Sequence, residues 1–359
     1  MTKKEISEIR KQCRIQENSF TTICGCYVPG NDQEKICFTQ TFQTLTQEDA
    51  QQYLALFKKG LSGKPDESLS EGVVSGEVQE SLLALTDCGL RDPKVVNRFF
   101  DAAAESFAFG TSFLILLIHN CYDIPKPSGS DTAYSYIQCL ICPIQESVPE
   151  LGYQGKEKGF ASTAKNWIVK NPAVGFLYPA FNDRCTDIHH MLAYIPGEKR
   201  SGRTFIETLL GTELPMPRSS QCAAFRALAE QGLGENLTYQ AICSLKESLD
   251  MITENETQAG EEKKISWDEA VRIIEEAGEK ELEKDTLPEQ LKEAAEFRLS
   301  NLAGGTVTEI QTNGALIRID RSCTPLPEIG LVSGRKYILV PVGESLEIDG
   351  FQVFEGEKE

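Results

Sequence analysis

Residues 112–119 of this chain are SFLILLIH, and Phe113–Ile118 within them is its longest apolar run. The run is far shorter than the roughly 20 residues that a membrane-spanning helix needs. A short, continuous apolar segment is instead typical of a strand that is buried on both faces of a sheet. We therefore predict an α+β fold, in which a mixed sheet is flanked by helices.

Four further segments carry strand patterns on either side of this run. They are rich in β-branched and aromatic residues and are bounded by turn residues. The predicted strands are Ser19–Tyr27, Lys35–Thr41, Ala133–Pro143 and Val174–Tyr178, and the first two form a hairpin. The polar stretch Lys64–Gly76, which contains Pro and Gly, is interpreted as an exposed loop.

Apolar residues at helical spacing, with capping residues at several starts, predict the helices of a main domain that covers residues 1–252. The predicted helices are residues 1–16, a segment from Thr46 to Gly60, Val78–Thr86, Pro93–Ser106, Gly202–Leu210, Gln221–Gln231 and Tyr239–Ile252. One more helix is predicted to follow the strand that ends at Tyr178 and to end near Ile195.

The chain beyond residue 252 divides by composition. Residues 253–265 have few apolar side chains and are predicted to be an acidic linker. Residues 266–303 form a predicted helical segment, and residues 304–359 a β-rich region in which Asn313–Gly314 predicts a type I′ hairpin turn. Capping boxes are predicted at two helix starts, Ser266 with Glu269 and Thr286 with Glu289.

Charge limits the classes of partner. The net charge of −18 over 359 residues argues against a broad basic surface that coats nucleic acid. One local basic patch is interpreted as a solvated helix face, and a nucleic-acid contact is the alternative. The patch consists of Lys3, Lys4, Arg10, Lys11 and Arg14. Because the first 16 residues lack the apolar stretch of a signal peptide, we predict a cytoplasmic protein without a membrane partner.

The 12 cysteines are interpreted mainly as small buried apolar side chains of a reducing compartment. Cys139 and Cys142 have the spacing of a metal knuckle, but in a strand their side chains point to opposite faces. Cys24 and Cys26 share a face. A zinc site completed by His119 or Cys37 is the alternative to buried thiols at this pair.

The stretch Gly175–Tyr194, GFLYPAFNDRCTDIHHMLAY, is the strongest candidate for function. On the predicted helix, Asp183, Asp187 and His190 lie at positions i, i+4 and i+7 of one face. Two carboxylates and an imidazole could bind a divalent metal, or the His could act as a base that an Asp orients. Helix capping and a solvated helix face are the alternative explanation.

Four more polar residues are candidates for ligand binding. Asn182 and Arg184 flank the first of the candidate carboxylates. His119 and Asp123 follow the apolar run, and active-site groups are common at the carboxyl ends of strands in α/β sheets.

Five segments together resemble a family of bacterial proteins named domain of unknown function 4317. They are ICGCYV (Ile23–Val28), LLIHNCYDIP (Leu116–Pro125), CLICPI (Cys139–Ile144), GFLYPAFNDRCTDIH (Gly175–His189) and GRKYILVPV (Gly334–Val342). The resemblance implies a bacterial cytosolic protein with an α+β architecture and transfers no catalytic residue. The order of elements also resembles the layout of the 37-kilodalton nucleoid-associated proteins.

Two functional hypotheses follow from the sequence. The first is a non-enzymatic binding or assembly protein, which associates with itself or with a protein partner, or belongs to the nucleoid. The second is a metal-dependent hydrolase that uses Asp183, Asp187 and His190, and only this hypothesis requires a divalent metal as cofactor.

Overall fold

The structure is a computed structural model with two compact units, Met1–Pro217 and Arg218–Glu359. The residues that it describes are 1–15, 20–30, 34–107, 111–124, 132–154, 159–198, 200–256, 264–282, 296–302, 307–320, 328–340, 346–348 and 351–353. The expected boundary at residue 252 lies inside the second unit, so that two helices assigned to the main domain are placed with the C-terminal region.

An eight-stranded sheet forms the centre of the first unit. Its strands are β1 (Phe20–Val28), β2 (Ile36–Thr41), β3 (Leu69–Val73), β4 (Phe113–Ile124), β5 (Thr132–Glu146), β8 (Trp167–Val169), β9 (Val174–Tyr178) and β12 (His190–Tyr194). The strand order is β2-β1-β4-β5-β9-β12-β3, and β8 pairs separately with the end of β5. The ladders between these strands are antiparallel, where the sequence suggested a mixed sheet.

Strand β4 explains why the sheet needs helices on both sides. Leu116 and Leu117 are both fully buried although their side chains point to opposite faces. One face packs on α3 (Gly76–Asp87), α4 (Pro93–Ser106) and α5 (Arg200–Leu210), and the other on α1 (Lys3–Gln12) and α2 (Gln47–Gly60). The sequence-based prediction of an α+β fold is therefore confirmed.

Two predictions in the first unit are wrong. The stretch predicted as a loop, Lys64–Gly76, contains the edge strand β3, which pairs along its length with β12. The helix predicted after Tyr178 is absent: this segment forms β10 (Ala180–Asn182), β11 (Cys185–Asp187) and β12. The helical spacing of its apolar residues was misleading because Met191 and Ala193 belong to the strand alternation of a buried sheet.

Three short strands complete the central part of the first unit. β6 (Leu151–Gln154) and β7 (Gly159–Ser162) form a hairpin, and β8 follows them along the chain. We call residues 147–169 the apolar arm, because its described side chains include several large exposed apolar groups.

The second unit contains helices and two-stranded sheets. The helices are α6 (Arg218–Leu233), α7 (Tyr239–Glu256), α8 (Trp267–Gly278) and α9 (Leu299–Leu302), and β13 (Lys264–Ser266) pairs with β14 (Glu296–Arg298). Three hairpins follow: β15 (Val307–Gln311) with β16 (Leu316–Asp320), β17 (Glu328–Val332) with β18 (Arg335–Leu339), and β19 (Leu346–Ile348) with β20 (Phe351–Val353).

The predicted capping box at Ser266 and Glu269 is confirmed at the start of α8. The box predicted at Thr286 and Glu289, and most of the predicted acidic linker, lie outside the described residues. Within the described part of the chain, no helix has the length and apolar character that crossing a membrane requires.

The hairpin predicted around Asn313–Gly314 forms, but its turn is not type I′, because neither of these two residues has a positive φ. The N–H of Thr312 donates a hydrogen bond of 2.9 Å to the carbonyl of Ala315, so two residues form the tip. The Thr312 hydroxyl accepts hydrogen bonds from the backbone N–H groups of Gly314 and Ala315, and these bonds stabilise the turn.

Candidate functional site

A two-residue turn joins β10 to β11 at the centre of the candidate stretch. Asp183 and Arg184 have φ values of 50° and 55°, as a type I′ turn requires at both central positions. Residues with side chains enter this left-handed region at a cost of about 1–2 kcal/mol each. The surrounding structure must therefore hold the turn in place.

The N-terminal helix α1 supplies that support. The carboxylate of Glu5 accepts a hydrogen bond of 3.2 Å from the backbone N–H of Arg184, and Glu8 pairs with the guanidinium group at 3.0 Å. The Tyr122 hydroxyl donates to the same Glu8 oxygen at 2.7 Å. Burial, together with this bond and the Glu8 charge, raises the pKa of Tyr122 to about 12. The hairpin is thus tied to both α1 and β4.

Behind the turn, four polar side chains form a connected cluster, which we call the carboxylate–histidine cluster: Glu71, Asn182, Asp187 and His190. The amide nitrogen of Asn182 donates to Glu71 and, at 2.9 Å, to Asp187. The Nδ1 atom of His190 lies 2.7 Å from Oδ2 of Asp187. The cluster therefore joins β3, β10, β11 and β12.

The surroundings of Asp187 stabilise its ionised form. Partial burial alone would raise the pKa of this carboxyl group, but hydrogen bonds from Asn182, from the backbone N–H of His189 and from His190, with the His190 charge, lower it below its usual value. The second carboxylate, Glu71, forms an ion pair with the Met1 amino group at 2.5 Å. Positive charge is thus drawn to both carboxylates of the cluster.

The cluster has the ligand types of a divalent-metal site. One potential ligand atom from each of Glu71, Asp187 and His190 lies within 4.8 Å of the other two, and all three residues are half-buried. Imidazole and carboxylate groups together suit Mn²⁺ and Zn²⁺. No other group of three His, Cys, Asp or Glu residues meets this geometry in the described ranges.

The structure brings together part of the predicted set. Asp187 and His190 are in contact, as expected, although they reach each other through strands and not along a helix face. Asp183 occupies the hairpin turn and is not in the three-ligand group. Asn182 belongs to the cluster, while the guanidinium group of Arg184 contacts α1.

The other predicted ligand residues lie elsewhere. His119 shares its face of β4 with Leu117, which packs on the α3–α4 side of the sheet. His190 shares its face of β12 with Leu192, which packs on the α1 side. The two histidines therefore lie on opposite faces. His119 instead contacts Ser135 Oγ at 2.9 Å through Nε2. Asp123, on β4, is exposed. β5 and β9 separate β4 from β12, so His119 and Asp123 are not part of the cluster.

Glu71 is not among the predicted site residues, because its segment is predicted from the sequence to be a loop. The segment LSEGV alternates Leu69, Glu71 and Val73 on one face of the edge strand β3. Glu71 is the register partner of Leu192 on β12. His190 lies two residues before Leu192 and therefore on the same face of that strand. This short alternation was the available signal, but neighbouring Ser and Gly residues masked it.

The cysteine alternatives are also resolved in the described part of the chain. Cys139 and Cys142 pack on opposite faces of the sheet, as predicted. Cys26 contacts Cys37, while Cys24 contacts Thr39 and the carbonyl of Leu90. These thiols do not join His119 in a metal-binding group among the described residues.

The N-terminal basic patch is mostly exposed. Lys3, Lys4, Lys11 and Arg14 are exposed, and Arg10 is half-buried. Glu5 and Glu8 lie between them and contact the hairpin turn. The helix that carries the basic patch is therefore part of the structure that supports the cluster.

Comparison with known protein families assigns the chain to one family. A family model described as "Domain of unknown function (DUF4317)" matches residues 1–351. The chain belongs to the DUF4317 family, which confirms the resemblance found in the sequence. The search of curated proteins finds no match. These comparisons do not support the fainter likeness to nucleoid-associated proteins.

Proposed function

We propose that this chain is a divalent-cation-binding protein whose site is the carboxylate–histidine cluster. The observation that carries the proposal is the approach of three ligand atoms from Glu71, Asp187 and His190 to within 4.8 Å of one another. The residues come from two neighbouring strands and a hairpin, so their spacing depends on the fold and not on local sequence.

A bound cation can replace the contacts that the two carboxylates of the cluster now make. The Met1 amino group and the Asn182 amide bring positive charge or donor protons to Glu71 and Asp187. A bound cation would take over this role at both carboxylates. Mn²⁺ and Zn²⁺ are the cations of choice, because Ca²⁺ and Mg²⁺ prefer oxygen ligands.

Calorimetric titration of the full chain with Mn²⁺ and with Zn²⁺, after removal of metal by a chelator, tests the proposal. We expect one site, and a loss of at least about tenfold in affinity in Asp187→Asn and in Glu71→Gln. Asp183→Asn is the matched control, because this carboxylate lies on the same hairpin but outside the three-ligand group. No binding, or an equal loss in the control, would refute the proposal.

The hydrolase hypothesis adds a reaction to the same site. Three protein ligands leave coordination positions for water, and a metal-bound water is a nucleophile near neutral pH. A phosphate ester and a carboxylate ester of p-nitrophenol test this with Mn²⁺ or Zn²⁺ added. Hydrolysis that Asp187→Asn abolishes and Asp183→Asn retains would support it. Cation binding without hydrolysis of these esters would favour the non-enzymatic binding protein.

A second candidate function, self-association, is favoured by the apolar arm. Tyr153 and Phe160 are paired across the β6–β7 hairpin with ring centroids 5.5 Å apart, and they are 62% and 68% exposed. Trp167 on β8 is 63% exposed. Large exposed apolar side chains that lie together, as Tyr153 and Phe160 do, mark protein contact sites. We infer that a second copy of the chain covers this arm.

The molar mass of the full chain in solution tests the second candidate. We expect an oligomer at micromolar concentration, and a shift towards monomer in Phe160→Ser and Trp167→Ser. Ile36→Ser is the matched control, because Ile36 is an equally exposed apolar residue outside the arm. A monomeric parent chain, or the same shift in the control, would exclude self-association through the arm.

A further inference from the structure

Two cysteine side chains face each other at the edge of the large sheet that lies opposite to β3. Cys26 on β1 and Cys37 on β2 are register partners, and their Sγ atoms lie 2.8 Å apart. Directly opposite residues of an antiparallel pair have Cα atoms about 4.5–5.5 Å apart. Disulfides span Cα separations of about 4.4–6.8 Å. Both residues are free thiols in the structure, so the backbone already has the spacing that a disulfide needs.

The two thiols differ in access to solvent. Cys26 is fully buried against the α3–α4 side of the sheet, whereas Cys37 is exposed on the edge strand β2. A dissolved reagent can therefore reach Cys37 first, and Cys26 lies directly behind it. This arrangement of one accessible and one adjacent buried thiol is typical of a reactive cysteine with its resolving partner.

We propose that Cys26 and Cys37 are a reversible thiol–disulfide pair, a modification site that reacts with small disulfides of the glutathione type. The Cys37 thiolate attacks one sulfur of the small disulfide, forms a mixed disulfide and releases one small thiol. Cys26 then loses its proton to solvent and attacks Cys37 Sγ, which expels the second small thiol. The protein loses two electrons and two protons, and the small disulfide is reduced to two thiols.

The second step depends on pH. In the reduced pair, burial, together with the hydrogen bond and charge of Cys37, raises the pKa of the Cys26 thiol to about 12, while the charge of Lys35 acts in the opposite direction. Burial, the largest of these causes, does not depend on Cys37 being a free thiol. Only a small fraction of Cys26 is thiolate near neutral pH. We therefore expect closure of the disulfide to accelerate as the pH rises from 7 to 9, because the attacking species becomes more abundant.

Mass spectrometry of the full chain tests the proposal. Reduced protein is incubated anaerobically with oxidised glutathione, alkylated in acid to trap free thiols, and digested. We expect a peptide pair linked through Cys26 and Cys37, which addition of dithiothreitol removes. The matched variants are Cys37→Ser and Cys121→Ser, since both change one exposed thiol of the same sheet. Only Cys37→Ser should abolish the linked pair.

A trapping variant separates the two steps. In Cys26→Ala, Cys37 should retain one glutathione, because no neighbouring thiol can expel it. Circular dichroism verifies that this buried substitution leaves the fold intact, and Cys26→Ser, which also removes the resolving thiol, provides the same test if it does not. Absence of the linked peptide at every ratio of oxidised to reduced glutathione, or its equal loss in Cys121→Ser, would overturn the proposal.

Discussion

The carboxylate of Glu5 accepts a hydrogen bond from the backbone N–H of Arg184, although 179 positions separate the two residues in the sequence. The same carboxylate accepts a bond of 2.6 Å from the backbone N–H of Thr2 and so completes the capping box of α1. Glu5 is 7% exposed. One buried side chain therefore starts the first helix and also supports the strained turn beside the carboxylate–histidine cluster.

Replacement of Glu5 should therefore have a larger effect than loss of a helix cap. We expect Glu5→Ala to lower the free energy of unfolding by about 2 kcal/mol, because the capping box of α1 and the bond to the Arg184 N–H are lost together. Urea unfolding measures the change. Glu77→Ala is the control, since Glu77 lies in the first turn of α3 and is exposed. Equal losses in the two variants would contradict the dual role of Glu5.

The charge balance of the cluster can be tested at Asn182. Asn182→Asp places a third carboxylate between Glu71 and Asp187 and removes their shared donor. We expect the melting temperature to fall without metal and to recover more than that of the parent chain when Mn²⁺ is added. The control is Asn166→Asp at an exposed position of the apolar arm. A variant that Mn²⁺ does not stabilise would count against cation binding.

His119 should make the first unit sensitive to acid. Burial, with a smaller effect of the Arg91 charge, lowers the pKa of this imidazole below its usual value of 6.5. The unfolded chain therefore binds a proton at this residue at a higher pH than the folded chain does. The stability that the neutral imidazole contributes is therefore complete above pH 7 and is lost as the pH falls below 6.5.

Urea unfolding at pH 7.5 and pH 5.5 measures that difference. We expect His119→Gln to lose less stability between the two values than the parent chain, because it has no imidazole that must stay neutral. His189→Gln is the control, because His189 is exposed. Identical pH dependence in His119→Gln and the parent chain would show that the acid sensitivity arises elsewhere.

A close backbone approach makes Gly175 difficult to replace. A Cβ atom at this position of β9 would lie 2.5 Å from the carbonyl oxygen of Cys139 and 2.7 Å from the Leu140 side chain. We expect Gly175→Ala to destabilise the fold by about 2 kcal/mol or more, since overpacking displaces neighbouring backbone. Gly314→Ala is the control, because a Cβ there meets nothing within 4 Å. Equal melting temperatures in the two variants would exclude this steric cost.

The sequence was informative wherever a local pattern and its environment agreed. The run Phe113–Ile118 predicted a strand buried on both faces, and β4 is that strand. The helix Pro93–Ser106 was predicted with the bounds that the structure has, because Asp92 and Pro93 mark its start and apolar spacing marks its length. Such signals need no information about distant residues.

The candidate site was only partly predictable because distant strands build it. Asp187 and His190 were selected for their chemistry, but the geometry assigned to them was helical and wrong. Type I′ turns usually contain Gly or Asn. The turn at Asp183 and Arg184 lacks both, and contacts with α1 stabilise it. Glu71 could not be connected to this hairpin from local sequence, because pairing of β3 with β12 brings them together.

The order of strands places the two proposed sites at opposite borders of the main sheet. Glu71 lies on one border strand of the main sheet path and Cys37 on the other, with five covered strands between them. The two proposed sites therefore share no strand: the cluster uses β3, β10, β11 and β12, whereas the thiol pair uses β1 and β2. A single substitution at one site therefore leaves every residue of the other site in place.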